Sequence, residues 1–284
     1  MRVSDKNIDR VYISSQARSS TYKMVDNHYH YYYEIYYLKK GTCRFFTHEN
    51  QYILHAGDFI ILPPREVHFN RYVTSCLRID IYFRLEDLYQ DGNLFMPHVL
   101  DKYVPSTVTH IPSGSRAVVE AIFDQMLAEE KINDERAYIM MPLLLKALFI
   151  DFDRVGVETS NSEADTDNEI VEVVHYIASH YSEPLTLEGL AERANLSPTY
   201  FSKKFHNTTG MGMKEYLTYI RLKNASMELL STNHTITEIA LNSGFSNSNY
   251  FKDAFKKMYN VSPREYRASR KTDYKLEQAL KEGK

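Results

Sequence analysis

The sequence predicts an α+β multidomain protein: a β-barrel, then a helical pair, then an all-α domain built on a doubled helix-turn-helix. Three observations carry this. Leu77, Ile79, Ile81 and Phe83 alternate with Arg78, Asp80, Tyr82 and Arg84, the period of a strand with one wet face. From Arg116 the period becomes helical, with Val118, Val119, Ile122, Phe123, Met126 and Leu127 on one stripe. In the carboxy-terminal half a basic helical hairpin occurs twice, its copies 49 to 50 residues apart.

A chain of 284 residues exceeds one average domain, and 43% hydrophobic with 25% charged residues is an ordinary globular composition with ample core. Cys43 and Cys76 are too few for a disulfide framework and lack metal spacing, which suits a reducing cytoplasm. The chain opens without a basic-then-apolar leader, so a cytoplasmic location is expected. The most apolar run, 138–150, is interrupted by Pro142 and Lys146 and is too short to span a bilayer. The net charge of −3 hides a division: residues 170–284 hold 16 Lys/Arg against 12 Asp/Glu, and residues 1–169 hold 18 against 25. A positive half beside an acidic one fits a DNA-binding module joined to a different module.

Taken in order, residues 1–110 read as short strands. Segments 41–48 and 51–55 flank Glu49-Asn50 as a hairpin, His55-Ala56-Gly57-Asp58 is a second turn, and Phe59–Leu62 is an apolar strand stopped by Pro63-Pro64. Residues 111–155 form two antiparallel helices, which either cover the barrel or pair two subunits. The polar, acidic stretch 156–168 buries too little to order itself and reads as a linker. Helix resumes at Glu169 with Val173, Val174 and Ile177 on one face; residues 169–270 form the helical domain and 271–284 a charged tail.

The amino-terminal half carries His28-x-His30-x-x-x-Glu34, with His68 further on. Alternate residues of a strand share a face, so His28, His30 and Glu34 converge on one side. With His68 from a neighbouring strand they could hold a divalent Fe, Mn, Ni or Zn ion. Three roles stay open for this set: packing and ligand hydrogen bonds, a structural or effector-gripping metal, and a catalytic metal. Tyr29, Tyr31, Tyr32, Tyr33, Tyr36 and Tyr37 crowd the same stretch, and those facing inward, with Tyr32 and Tyr36 as candidates, offer flat faces and hydroxyl tips to a sugar or other small polar ring. The two elements, 28–41 and 57–68, resemble the two cupin motifs, with Arg65 where the second usually has Gly. The resemblance implies a cupin-like effector-sensing barrel.

In the second hairpin Thr235-x-x-Glu238 is a capping box, Ser243-Gly244 supplies the tight turn, and Phe251 and Phe255 make an inner face beside Lys252 and Lys256. Leu190-Ala191 and Leu196 precede Ile239-Ala240 and Phe245 by 49 residues; Tyr200-Phe201, Phe205, Gly210, Glu215 and Tyr216 precede their counterparts by 50. The single slip falls in the turn. Ser197-Pro198 caps the first reading helix, leaving Thr199, Tyr200, Ser202, Lys203 and His206 outside its aromatic face. The matching set is Asn247, Ser248, Asn249, Lys252, Asp253 and Lys256. Asn249 suits adenine and Asp253 cytosine N4. Arg221 is a phosphate candidate on the connecting helix.

From about Ile170 to Arg267 the chain resembles the AraC/XylS family of bacterial transcription regulators. Gly244-Phe245, Tyr250-Phe251, Phe255-Lys256, Ser262-Pro263 and Tyr266-Arg267 carry the signature, with Asn260 replacing the usual Gly. The resemblance implies two units joined by a long helix, Thr199, Ser202 and Lys203 at base edges, and dimerisation through the sensor's helices. The expected protein is a cytoplasmic, ligand-responsive regulator, not an enzyme, whose partners are promoter DNA, a small effector, a second copy and RNA polymerase, with no membrane. The alternatives are a metal-dependent cupin enzyme with a helical extension and a protein-binding helical module.

Overall fold

The computed structural model describes residues 2–3, 8, 10–21, 28–47, 50–103, 107–155, 158–159 and 169–268, and the chain divides into two compact units, 1–167 and 168–284. The 271–284 tail and the Glu49 end of the first hairpin turn lie outside the described residues.

In the first unit, strands β1 (Arg2–Val3), β2 (Tyr12–Arg18), β3 (His28–Tyr29), β4 (Tyr33–Lys40), β5 (Thr42–Thr47), β6 (Gln51–His55), β7 (Asp58–Leu62), β8 (His68–Tyr72) and β9 (Cys76–Phe83) lead to a short hairpin, β10 (Tyr89–Gln90) and β11 (Asn93–Leu94). Helix α1 (Pro97–Tyr103), strand β12 (Thr109–His110), helices α2 (Arg116–Ile132) and α3 (Ala137–Arg154), and strand β13 (Glu158–Thr159) complete it. Two sheets result, ordered β1-β3-β8-β5-β6 and β13-β12-β7-β4-β9-β2. The expected hairpin is the antiparallel β5–β6 pair, and the turn into β7 uses Gly57 at φ 96°.

The six-stranded sheet is covered on both sides. One face packs Ile35, Tyr37, Phe59, Ile61, Ile79, Ile81 and Phe83 against Val119, Phe123, Met126, Leu145, Leu148, Phe149 and Phe152 of α2 and α3. The other packs Tyr36, Leu38, Ile60 and Leu62 against Cys43, Phe45, Leu54 and Tyr72 of the five-stranded sheet. Apolar stripes at helical spacing on α2 and α3 therefore cover the sheet. Val118 (53% exposed), Ile132 (60%), Ile139 (66%) and Leu143 (52%) are left on their outer side.

Two expectations are corrected here. Arg78 and Asp80 do not line a wet face: they are 8% and 0% exposed, because the second sheet closes over that side of β9. The linker begins later than residue 156, since Glu158 and Thr159 pair with His110 and Thr109. An edge strand offers free N–H and C=O groups, and the Val-Glu-Thr alternation suits extension along it. The remainder of 156–168 lies outside the described residues.

The second unit is helical: α4 (Glu169–His180), α5 (Leu187–Arg193), α6 (Pro198–Thr209), α7 (Met213–Ser231), α8 (Ile236–Asn242) and α9 (Ser248–Tyr259), with helix again over 263–268. Phe201 and Phe205 of α6, and Phe251 and Phe255 of α9, are fully buried. The exposed face each leaves is largely polar, with Tyr200 and Tyr250 upon it.

Candidate effector chamber and nucleic-acid interface

Between the two sheets His30, Glu34 and His68 meet. The route differs from the one expected, because His28 and Glu34 do not share a strand. The chain leaves β3 at Tyr29, turns through His30–Tyr32 and enters β4 in the other sheet. The turn brings His30 Nε2 to 2.7 Å from Glu34 Oε2, and His68 Nε2 reaches the same oxygen at 3.1 Å. All three side chains are at most 2% exposed. The backbone of His28 pairs with His68; its side chain lies outside the described residues.

Both imidazoles are oriented from behind. His30 Nδ1 lies 2.8 Å from the Tyr32 carbonyl and His68 Nδ1 2.9 Å from that of Glu66. A carbonyl only accepts, so Nδ1 carries the hydrogen in each ring, which leaves both Nε2 atoms facing the Glu34 carboxyl. The His68 pKa is raised despite opposing burial, because the Glu34 charge attracts its proton. Burial opposes ionisation of Glu34 too, but His68 and His30 together hold its carboxyl well below the usual range. One oxygen and two nitrogens, all within 4.8 Å of one another, fit a divalent transition metal.

Tyr32 stacks on His30 with ring centroids 4.5 Å apart, and Tyr36 faces the interior, its ring 4.9 Å from that of Phe45. Tyr33 and Tyr37 face the opposite way, Tyr37 donating to Glu120 of α2 at 2.7 Å. Arg65 takes the left-handed turn at φ 67°, and its N–H donates to the His30 carbonyl at 2.7 Å. The residues missed from sequence are Arg78, Asp80, Tyr82 and Asn70. For Arg78 and Asp80 the signal was charge alternating along a strand in a domain that also holds a strand, Phe59–Leu62, apolar on both faces.

In the helical unit the duplication extends to single hydrogen bonds. Leu196 N donates to Ala191 O at 2.9 Å, and Phe245 N to Ala240 O at 2.9 Å. Asn195 (φ 53°) and Gly244 (φ 82°) occupy the same left-handed position. A Cβ on Gly244 would lie 2.7 Å from the Ser182 carbonyl, so glycine is required there for space as well as for φ. Asn260 closes α9 at φ 59° as Gly210 closes α6 at φ 67°. The one-residue slip is Ser246, inserted before the second cap.

Thr199, Tyr200, Ser202, Lys203 and His206 are exposed along α6; Asn249, Lys252, Asp253 and Lys256 are exposed along α9, and Ser248 is half-buried. Ser197 and Asn247 are the N-caps. The Ser197 hydroxyl accepts from Tyr200 N at 3.4 Å, and Asn247 Oδ1 from Asn249 N at 2.8 Å and Tyr250 N at 3.3 Å. Their acceptor oxygens are thus spent on the helix. Tyr250, 57% exposed against 55% for Tyr200, is the counterpart that the 50-residue spacing would have supplied.

Arg221 departs from its expected place at phosphate. Its Nε donates to Tyr181 O at 2.7 Å and its Nη2 to Glu183 O at 2.8 Å, clasping the loop before α5. Arg267 repeats the device before α8, on Leu229 O at 3.1 Å and His234 O at 2.6 Å. Helix ends leave such carbonyls unsatisfied, which is why a fork of donors settles there.

The chain is a two-sheet β-domain with an internal polar cluster, followed by a duplicated helix-turn-helix. Family models agree: residues 12–136 match the AraC-like ligand binding domain and residues 190–269 a helix-turn-helix domain. The chain thus joins an AraC-like ligand-binding domain to a helix-turn-helix DNA-binding domain. It is 25% identical over 236 residues to an uncharacterized HTH-type transcriptional regulator of Staphylococcus aureus (strain MSSA476), a match covering 81% of this chain and 31% of that protein. The chain thus spans about a third of the length of that relative. It is 24% identical over 254 residues to the HTH-type transcriptional activator RhaS of Salmonella schwarzengrund (strain CVM19633), covering 86% of this chain and 87% of that one. Among solved structures, the C-terminal domain of AraT, a response regulator from Geobacillus stearothermophilus, is 39% identical and covers 38% of this chain and 89% of its own, with a TM-score of 0.36. Among the described residues no helix is long and apolar enough to cross a membrane.

Proposed function

We propose that this chain reads promoter DNA with α6 and α9 and changes its hold on that DNA when a small polar effector, such as a sugar, enters the space between its two sheets. The observation that supports the reading is the pair of equivalent helices, each with a buried aromatic face and an exposed face carrying Lys203 or Lys252. Thr199, Ser202, Lys203, Asn249 and Asp253 are the base-edge residues, and Lys252 and Lys256 the phosphate-side cations. Helices so joined enter successive major grooves about 34 Å apart. A cytoplasmic setting and contact with RNA polymerase follow from the same reading.

Binding to promoter DNA measured at rising salt tests it. The expected log–log slope is clearly negative; a slope near zero would mean no phosphate contacts and would falsify DNA binding. Two copies of the chain pair through the outer side of α2, where Val118, Ala121, Gln125, Ala128 and Ile132 recur at alternating three- and four-residue spacing.

Within the chamber, His30, Glu34 and His68 act first as a hydrogen-bonded brace that holds the β3–β4 turn to β8. The Nδ1–carbonyl bonds behind both imidazoles favour a second reading, a bound divalent metal at the same three atoms, which would supply a Lewis acid for a ligand oxygen. Metal and protons compete for those atoms, so uptake releases protons. Elemental analysis of protein purified without added metal separates the two: stoichiometric Fe, Mn, Ni or Zn, lost in His68→Ala, supports the metal. The enzyme alternative draws no support from relatives that are transcriptional regulators.

A further inference from the structure

The duplication that builds the two exposed helices also sets one residue of each against the other. Helices α6 and α9 are both twelve residues long, α9 follows α6 by 50 residues at either end, and each closes on a left-handed residue, Gly210 or Asn260. Their aromatic pairs, Phe201 with Phe205 and Phe251 with Phe255, are all 0% exposed. The position midway between those aromatics falls on the opposite face, and in both helices it is exposed. In α6 it holds Lys203 and in α9 Asp253, so the charge at one and the same place is reversed.

Nothing within the fold accounts for that carboxylate. Asp253 is the one acidic residue on either helix. Other carboxylates around the second hairpin are engaged: Glu238 and Glu265 close capping boxes, and Glu228 accepts from His234 and Asn242. Asp253 has Lys256 and Lys257 within one helical turn, yet among the described residues it forms no ion pair or hydrogen bond, and neither does Lys203. The next residue, Lys204, is by contrast held by Glu169 of α4.

On a DNA-reading face an unpaired carboxylate has both a cost and a use. Duplex DNA carries about one negative charge per 1.7 Å of its axis, so the group weakens contact with every sequence alike. Only a base edge that donates offsets this. In the major groove cytosine offers its N4 amino group with no acceptor beside it, whereas adenine N6 stands next to the N7 acceptor. Guanine presents O6 and N7, and thymine O4, all of them acceptors. An amide such as Asn249 therefore suits adenine, and a carboxylate suits cytosine. An ammonium only donates, which sends Lys203 to the O6 and N7 edge of guanine.

We propose that Lys203 and Asp253 make the two heads non-interchangeable. Lys203 takes a guanine, while Asp253 takes a cytosine and repels guanine and thymine. Corresponding places in the two successive grooves then carry a base pair in reversed orientation. Discrimination by the second head comes as much from what the carboxylate rejects as from what it accepts. The inference rests on the reading of α6 and α9 as DNA-reading helices, and it names the base that each charge selects.

The test selects duplexes from a randomised library with the full chain, then measures affinity for the enriched duplex and its single-base variants at fixed salt. The wild type is expected to enrich a guanine and, about one turn of duplex away, a cytosine at the matching place on the same strand. Asp253→Lys should switch that cytosine to guanine and leave the other columns unaltered. Asp253→Ala should lower the preference for cytosine tenfold or more while tightening binding to unrelated DNA. Lys203→Ala should relax the guanine column alone. The proposal is overturned if Asp253→Ala weakens binding to all duplexes alike, if it leaves the enriched sequence as in the wild type, or if the column it alters holds any base but cytosine. A chain that gives one of those results, yet binds its enriched duplex with a negative salt slope, leaves the reading of the two helices standing. A chain that enriches no duplex overturns both.

Discussion

Asp80 shows how one buried charge shapes behaviour. Burial pushes its carboxyl up to about 7 from the ordinary 3.8, with Arg78 pulling the other way. The folded chain then holds this proton more tightly than the unfolded one, so the group's contribution is full below about pH 4 and is lost as pH rises through about 7. His68, raised above its ordinary 6.5, loses its contribution on the alkaline side as well. The urea midpoint of the wild type should fall between pH 5 and pH 8, and fall less steeply in Asp80→Asn; parallel curves would contradict the assignment. Asn260 is simpler. Its φ of 59° tolerates Gly, so Asn260→Gly should be near neutral, while Asn260→Val should cost about 1–2 kcal/mol in chemical denaturation. Asn260 was legible in the sequence because only Gly and Asn take that turn readily. The placement of Asp80 was not, since a charged residue alternating with apolar ones looks the same whether water or a second sheet lies over it.

Helices and turns were the most legible part, because caps and duplicated spacing are local chemistry. The Thr235 hydroxyl accepts from Glu238 N at 3.2 Å, and Glu238 Oε2 accepts from Thr235 N at 2.7 Å, as the Thr-x-x-Glu pattern requires. Removing the cap in Thr235→Ala should cost about 1 kcal/mol of unfolding free energy. Ser262 and Glu265 close a second box, Ser262 N donating to Glu265 Oε2 at 2.7 Å and Glu265 N to the Ser262 hydroxyl at 3.3 Å. Strand parity misled at His28 and Glu34, because a chain that changes sheets between them resets which side each residue faces. The cluster at His30, Glu34 and His68 therefore formed by a route that periodicity alone does not encode.

Across the whole chain, the division at about residue 168 was visible as a change in composition and charge. DNA affinity gives the test of the two reading helices: Lys203→Ala and Lys252→Ala should each weaken binding, and unchanged affinity in the double variant would contradict their placement. Ile132→Glu on the outer side of α2 should shift the chain toward monomer in sedimentation, leaving the fold intact; an unaltered mass would place the subunit contact elsewhere. The outer stripe itself was readable only as excess apolar surface, since one sequence cannot say whether such surface meets a sheet or a second copy.

Strand β4 has one further consequence. Tyr36 points toward the facing sheet, its ring against Phe45, and Tyr37, the next residue, reaches out to Glu120 on the helix behind. Neighbours on a pleated backbone cannot turn independently, so this strand is a party wall: whatever leans on it from one room is felt in the other.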